Sequence, residues 1–290
     1  MDDPSSGLLP PELIDHILTY LRDDKDALQA CSLLRRSWRD ASQRYLFRNI
    51  HLIIEWDRTF TALCEFLASA PHFVPWIETL RLTLPYVIKD APRSYHSPIY
   101  LTALASFLDT LPYLQVVHLD GIFREMGDVE YAAPDNHPAT KRGLKRLVID
   151  NIDGNADAML LCVLLFTEIE ELHLPKIRRR HYCRERSRFD WWAGCCDLFS
   201  TIPPSLRVRD IVLHHPTALA ALMDLTSRGC QLRNLRSLSL TFWRSDWKGF
   251  NVGKLVNVLR NAPCLSVLRF KLLMIPNPRR FPLYQVLALI

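Results

Sequence analysis

One pattern, apolar-x-x-apolar-x-apolar, recurs seven times between residues 77 and 270 and constrains this chain more than any other feature. It stands at Ile77-Leu80-Leu82, Leu114-Val117-Leu119, Leu144-Leu147-Ile149, Ile169-Leu172-Leu174, Val208-Ile211-Leu213, Leu235-Leu238-Leu240 and Leu265-Leu268-Phe270. The second and third apolar positions alternate with period two, as a half-buried strand requires. Helical stretches precede the units, around residues 59–69, 99–110, 156–166, 190–200, 217–228 and 252–262. The joints are alike, as in FLASAP, FLDTLP and VLRNAP. Such self-similarity marks a solenoid, whose strand–helix units bury their apolar sides only against one another.

Alternation turns the residue between the last two apolar positions toward the open side. Across the seven units that stripe reads Arg81, His118, Val148, His173, Val212, Ser239 and Arg269. Arg81, His118, His173 and Arg269 are therefore candidate ligand-binding residues, although solvated strand histidines are the simpler reading of the two imidazoles. Extra length follows the strands, at residues 83–98, 121–142, 175–189 and 241–251, and collects along one rim. That rim is aromatic, and Trp243 and Trp247 are candidate partner anchors there, or rings that pack the loop onto its own repeat. The apolar run Tyr284–Ile290 follows the last repeat without a polar cap, which reads as truncation or a self-packed last strand.

The first fifty residues obey a different grammar. Pro10 and Pro11 suit the first turn of a helix, after which Leu13, Ile14, Ile17, Leu18 and Leu21 give a broad apolar face. Asp23 or Asp24 caps a second helix, and a third follows Ser37 with Trp38, Ala41 and Tyr45 on one face. A β-like stretch, Ile50 to Ile54, comes next. Three helices in so short a piece bury too little for a self-sufficient core, so the unit calls for a partner.

Composition narrows the function classes. Removing residues 176–188 (KIRRRHYCRERSR), with seven Lys/Arg and one Glu, turns the net charge of +5 into 29 basic against 30 acidic residues. The positive charge is thus one local feature, and a uniformly basic nucleic-acid binder is disfavoured. Within that run Arg178, Arg179, Arg180 and Arg184 are candidates for gripping an acidic or phosphorylated substrate; the alternatives are nucleic acid or a solvated loop. Nine glycines in 290 residues leave no Gly-rich phosphate loop, and G-x-S-x-G and H-E-x-x-H are absent as well. The eight cysteines form no C-x-x-C pair; Cys183, Cys195 and Cys196 with His181 read as buried thiols rather than a metal cluster. His214-His215 reads as an exposed loop pair. No apolar run reaches the length of a membrane span, and Met1-Asp2-Asp3-Pro4 is wrong for a signal peptide. The expectation is a non-catalytic chain in the cytoplasm or nucleus, with no metal, cofactor or membrane.

The opening LPPELIDHILTYLRDDKDALQACSLLRRSWRDASQRYLFRNIHL resembles an F-box of the kind frequent in large fungal families. The likeness rests on Leu9-Pro10 with Glu12, the Ile/Leu pattern through Leu21, Trp38 in the third helix, and Leu46-Phe47 before Arg48; Leu34-Arg35-Arg36 departs from the usual Val-Cys-Lys/Arg step. The remainder is similar to the leucine-rich repeats that often follow an F-box, with Ile122, Ile152 and Ile177 where such repeats carry Asn or Cys. The resemblance implies an α/β chain: a three-helix F-box over residues 7–52, then an irregular leucine-rich-repeat solenoid of parallel strands and helices over 55–290. It implies docking to the Skp-type adaptor, and through it a cullin, of a ubiquitin ligase, while the repeats recruit a protein substrate. Adaptor contact is then expected on Leu9, Pro10, Leu13, Ile14, Ile17, Leu18 and Leu21, with Trp38 holding the helices together. The competing expectation is a non-ligase repeat scaffold that binds protein or RNA through its basic, aromatic rim.

Overall fold

The computed structural model describes residues 9–55, 58–84, 99, 101–121, 143–150, 162–163, 165–174, 206–215, 218–219, 222–223, 226, 232–243 and 252–273. It is an α/β chain built on a single eight-stranded sheet: β1 Asn49–Ile53, β2 Thr79–Thr83, β3 Val116–Asp120, β4 Gly143–Asp150, β5 Glu168–Leu174, β6 Arg207–Leu213, β7 Ser237–Trp243 and β8 Val267–Leu273. The strands lie in chain order, β1 to β8, and every adjacent pair is parallel. All seven sequence units are strands. A strand at Ile50–Ile54 was also expected, and it forms one residue earlier, as β1.

Register explains why the pattern repeats. Leu80, Val117, Leu147, Leu172, Ile211, Leu238 and Leu268 are direct cross-strand partners, with Ile50 ahead of them. Leu82, Leu119, Ile149, Leu174, Leu213 and Leu240 form a second inward row, and every one of these six is fully buried. The first apolar position of the motif, at Ile77, Leu114, Leu144, Ile169, Val208 and Leu235, is also buried, although plain alternation would turn it outward. A backbone step supplies the missing phase. The Glu78 carbonyl accepts both Gln115 N–H and Val116 N–H, the Gln115 carbonyl accepts Lys145 and Arg146 N–H, and the Arg236 carbonyl accepts Ser266 and Val267 N–H. One acceptor facing two consecutive donors interrupts the regular ladder, and both strands of a pair make the step together, so the register is kept while the side chains before the step are re-aimed. In these units the two unspecified residues of the motif span that step.

Helices α4 (Phe60–Ser69), α5 (Leu101–Asp109) and α6 (Val252–Arg260) back the sheet, supplying Phe60 and Leu67, Leu104 and Leu108, and Leu255 and Val258 to one continuous core. Helical backbone also appears at 162–163, 218–219, 222–223 and 226, inside two of the expected stretches; the one at 190–200 lies outside the described residues. The similar joints fold alike. Leu111 N–H donates to the Leu108 carbonyl and Leu114 N–H to that of Leu111, while Ala262 and Leu265 repeat both bonds with Leu259 and Ala262. Burial in this core pushes the Cys162 thiol up to about 12, leaving it an inert apolar filler.

The three expected helices are α1 (Pro11–Tyr20), α2 (Lys25–Ser32) and α3 (Arg36–Arg48). Asp24 caps α2, its Oδ1 accepting Ala27 N–H at 2.9 Å. Ile14, Leu18 and Leu28 are the buried apolar residues of this unit, with Leu21, Trp38, Ala41, Tyr45 and Leu46 packed around them. Trp38 therefore braces the helices, as expected. So small a core leans on the sheet through α3: Phe47 stacks on Phe73 at 3.9 Å between ring centres, and Arg48 Nη2 donates to Glu78 Oε2 at 2.7 Å.

Candidate functional site: the open face of the sheet and the apolar face of the first helix

The helices cover one side of the sheet; the other side carries its polar side chains in three rows. Register places His51, Arg81, His118, Val148, His173, Val212, Ser239 and Arg269 in one row, which is the expected stripe extended by His51. Two residues further along lie Thr83, Asp120 and Asp150, and then Thr241 and Lys271, with His214 just past the end of β6. Two residues earlier lie Arg146, Glu171, Asp210 and Ser237.

His118 and His173 are tied to carboxylates rather than solvated. His118 Nε2 donates to Asp150 Oδ2 at 2.8 Å, and His173 Nε2 donates to Glu171 Oε1 at 2.8 Å. A carboxylate only accepts, so both bonds place the ring proton on Nε2. Arg146 Nε pairs with the other oxygen of Glu171, and Arg81 Nη2 stands 4.0 Å from Asp120 Oδ2. Burial pulls the Glu171 carboxyl up, yet the hydrogen bonds from His173 and Arg146 hold it below the ordinary carboxylate value. Burial and then the Arg81 charge lower His51.

His214 changes the reading of the His214-His215 pair. His215 is buried, and His214, though exposed, places Nε2 3.3 Å from His173 Nδ1. With His173 Nε2 committed to Glu171, its Nδ1 accepts from His214 in the neutral form. Burial, then the charge of His173, lowers His214. A hydrogen-bonded line thus runs from Arg146 on β4 through Glu171 and His173 on β5 to His214 beyond β6. Such half-exposed pairs contribute only about 0–1 kcal/mol each to stability. They present fixed donors and acceptors on an accessible face.

Sequence reasoning placed Arg81, His118, His173 and Arg269 on this face and missed His51, Asp120, Asp150, Arg146, Glu171, His214 and Lys271. The missing signal was simple, since moving two residues along each strand from the stripe reaches Asp120, Asp150 and Lys271. Arg178, Arg179, Arg180, Arg184 and Trp247 lie outside the described residues, as do Ile122, Ile152, Ile177 and Cys183, Cys195 and Cys196 with His181. Trp243 ends β7, and its side chain is likewise outside them. Among the described residues no group of three His, Cys, Asp or Glu side chains is arranged to hold a metal ion, and no helix is long and apolar enough to cross a membrane.

The second surface lies on the helical unit, and here two expected contact residues are corrected. Ile14 and Leu18 are 2% and 0% exposed, so these two build the core and are not available to a partner, while half-buried Leu21 packs against them. Leu13, Ile17 and Tyr20 stand one step round the helix and are exposed, with Leu9 and Pro10 exposed just before them. At the end of α2, Leu33 and Leu34 are 83% and 63% exposed. Six of the nine exposed large apolar residues among those described thus belong to this one small unit, which makes it the candidate surface for a partner.

No protein-family model, no curated protein and no solved structure matches the chain.

Proposed function

We propose that the chain is the substrate-recruiting subunit of a cullin–RING ubiquitin ligase of the Skp–cullin–F-box type. Residues 7–52 act as the F-box, and residues 55–290 form an irregular leucine-rich-repeat solenoid that holds a protein substrate. The carrying observation is the apolar face of the helical unit. Leu9, Leu13, Ile17, Tyr20, Leu33 and Leu34 stay exposed while Ile14, Leu18 and Leu28 form the core beneath them. A docked adaptor would cover that face, each fully buried side chain contributing roughly 1.5–3 kcal/mol. The parallel strands in chain order, one backing helix before each of several strands, suit a repeat domain whose open face meets cargo.

In this reading the chain performs no chemistry. It brings substrate lysines near an activated ubiquitin, a contribution of proximity alone. The direct test is capture of the intact chain on immobilised Skp-type adaptor, beside the Leu13→Asp/Ile17→Asp variant. Retention of the parent chain and loss of the variant are expected. Failure of the parent to bind, or equal binding by the variant, rejects the proposal.

A further inference from the structure

Two imidazoles of the open face meet where β5 runs beside the end of β6. His173 lies on β5, and His214 directly follows β6, 41 residues later in the chain. Their ring centres are 5.5 Å apart and the ring planes are inclined by 31°. Nδ1 of His173 stands 3.3 Å from Nε2 of His214. His214 is exposed and the His173 side chain is 20% exposed, so the pair stands at the surface.

A carboxylate fixes one of the two rings. His173 Nε2 donates to Glu171 Oε1 at 2.8 Å, and Arg146 holds the other oxygen of that carboxylate. The ring proton of His173 is thereby kept on Nε2, and its Nδ1 lone pair is turned toward His214. A carboxylate behind the distal nitrogen is the support that metal-binding imidazoles usually carry, because it sets the tautomer and raises the basicity of the coordinating atom. The spacing suits a tetrahedral ion. Zinc binds imidazole nitrogen at about 2.0–2.1 Å, which sets two such ligands about 3.3–3.4 Å apart. Octahedral or square-planar geometry would draw them to about 2.9–3.0 Å. The observed 3.3 Å matches the tetrahedral value.

We propose that His173 and His214 form a two-imidazole binding site for a divalent cation of the zinc class, with water in the remaining coordination positions. Two neutral nitrogen donors select such an ion over magnesium or calcium, which take oxygen ligands. In the metal-free chain the gap holds the proton that His214 Nε2 shares with His173 Nδ1. The ion takes its place as the exposed His214 ring tilts, and His214 then carries its proton on Nδ1. Two protein ligands, not three, agree with the absence of a three-residue metal group among the described residues. The ion joins β5 to the chain beyond β6, and its open positions face the side away from the helices. The site requires neither the adaptor nor a substrate, so it stands apart from the ligase reading.

The test uses the intact chain, stripped with EDTA and titrated calorimetrically with zinc chloride at pH 7.5. Binding by the parent chain is expected, with at least tenfold weaker affinity in His214→Gln. The control His72→Gln, at an exposed histidine of the Pro71–Trp76 turn, is expected to keep the parent affinity. An unchanged melting temperature without zinc certifies the fold of each variant. X-ray absorption at the zinc edge, on the parent loaded with one equivalent, reads the site without any substitution. It is expected to show nitrogen and oxygen neighbours at about 2.0–2.1 Å and no sulfur at about 2.3 Å. Absence of zinc binding by the parent overturns the proposal. Binding that His214→Gln leaves intact also overturns it, and so does a sulfur shell, because the metal then sits among the cysteines.

Discussion

His173 Nδ1 and His214 Nε2 face each other at 3.3 Å across β5 and the end of β6, and only one proton fits between them. A second proton would set two N–H groups against each other. Because burial and His173 hold His214 below its ordinary 6.5, the unfolded chain binds more protons than the folded one between that lowered value and 6.5. Stability therefore rises with pH across that window and is lost as pH falls through it. His51, lowered by burial and Arg81, acts in the same direction. Glu171, held below 4.5, adds stability that is present above 4.5 and lost as pH falls through its folded value. Melting curves from pH 7.5 to 4 are expected to show a falling Tm, with His214→Gln flattening the part just below 6.5. A Tm that is unchanged or rises over that interval contradicts the arrangement.

Gly121 closes β3 with φ of +73°, and a Cβ built there would stand 2.5 Å from the Leu84 carbonyl oxygen. Gly121→Ala is expected to cost on the order of 2 kcal/mol, through left-handed strain and the displaced carbonyl together. The guanidinium midpoint reads this directly, and a loss under about 0.5 kcal/mol would place the β3 turn elsewhere.

In the helical unit, Leu18 and Leu13 share one helix but face different sides. Leu18→Ala removes a fully buried side chain and is expected to cost about 2–5 kcal/mol. Leu13→Ala, at an exposed position, should stay within about 0.5 kcal/mol. Equal losses would mean that Leu13 is core and the apolar face is not free.

Ser42 is fully buried in α3, and its hydroxyl has no hydrogen-bond partner among the described residues. Ser42→Ala removes an unsatisfied polar atom and improves helix propensity. A gain of about 1 kcal/mol is expected in urea unfolding; a loss of that size would show that the hydroxyl is bonded after all.

The strands were legible because their burial is one-sided and the motif carries its own backbone step: the spacing from Ile77 to Leu80 spans the doubly accepting Glu78 carbonyl. The cross-strand partners were not. His118 and Asp150 are 32 residues apart, and only the register of β3 against β4 makes them neighbours. Unequal insertions between repeats hide that register from any fixed period. The broad stripe of α1 posed the opposite problem. Leu13, Ile14, Ile17 and Leu18 all fit a helix face, and periodicity alone does not say which edge α2 and α3 will cover. The packing chose Ile14 and Leu18, leaving Leu13 and Ile17 outside.

The central claim, that this unit docks a Skp-type adaptor, is tested most directly by calorimetric titration of the purified intact chain with that adaptor. The account predicts one-to-one binding that Ile17→Asp abolishes and His214→Gln leaves unchanged. Absence of binding by the parent chain, or binding that Ile17→Asp leaves intact, would contradict it.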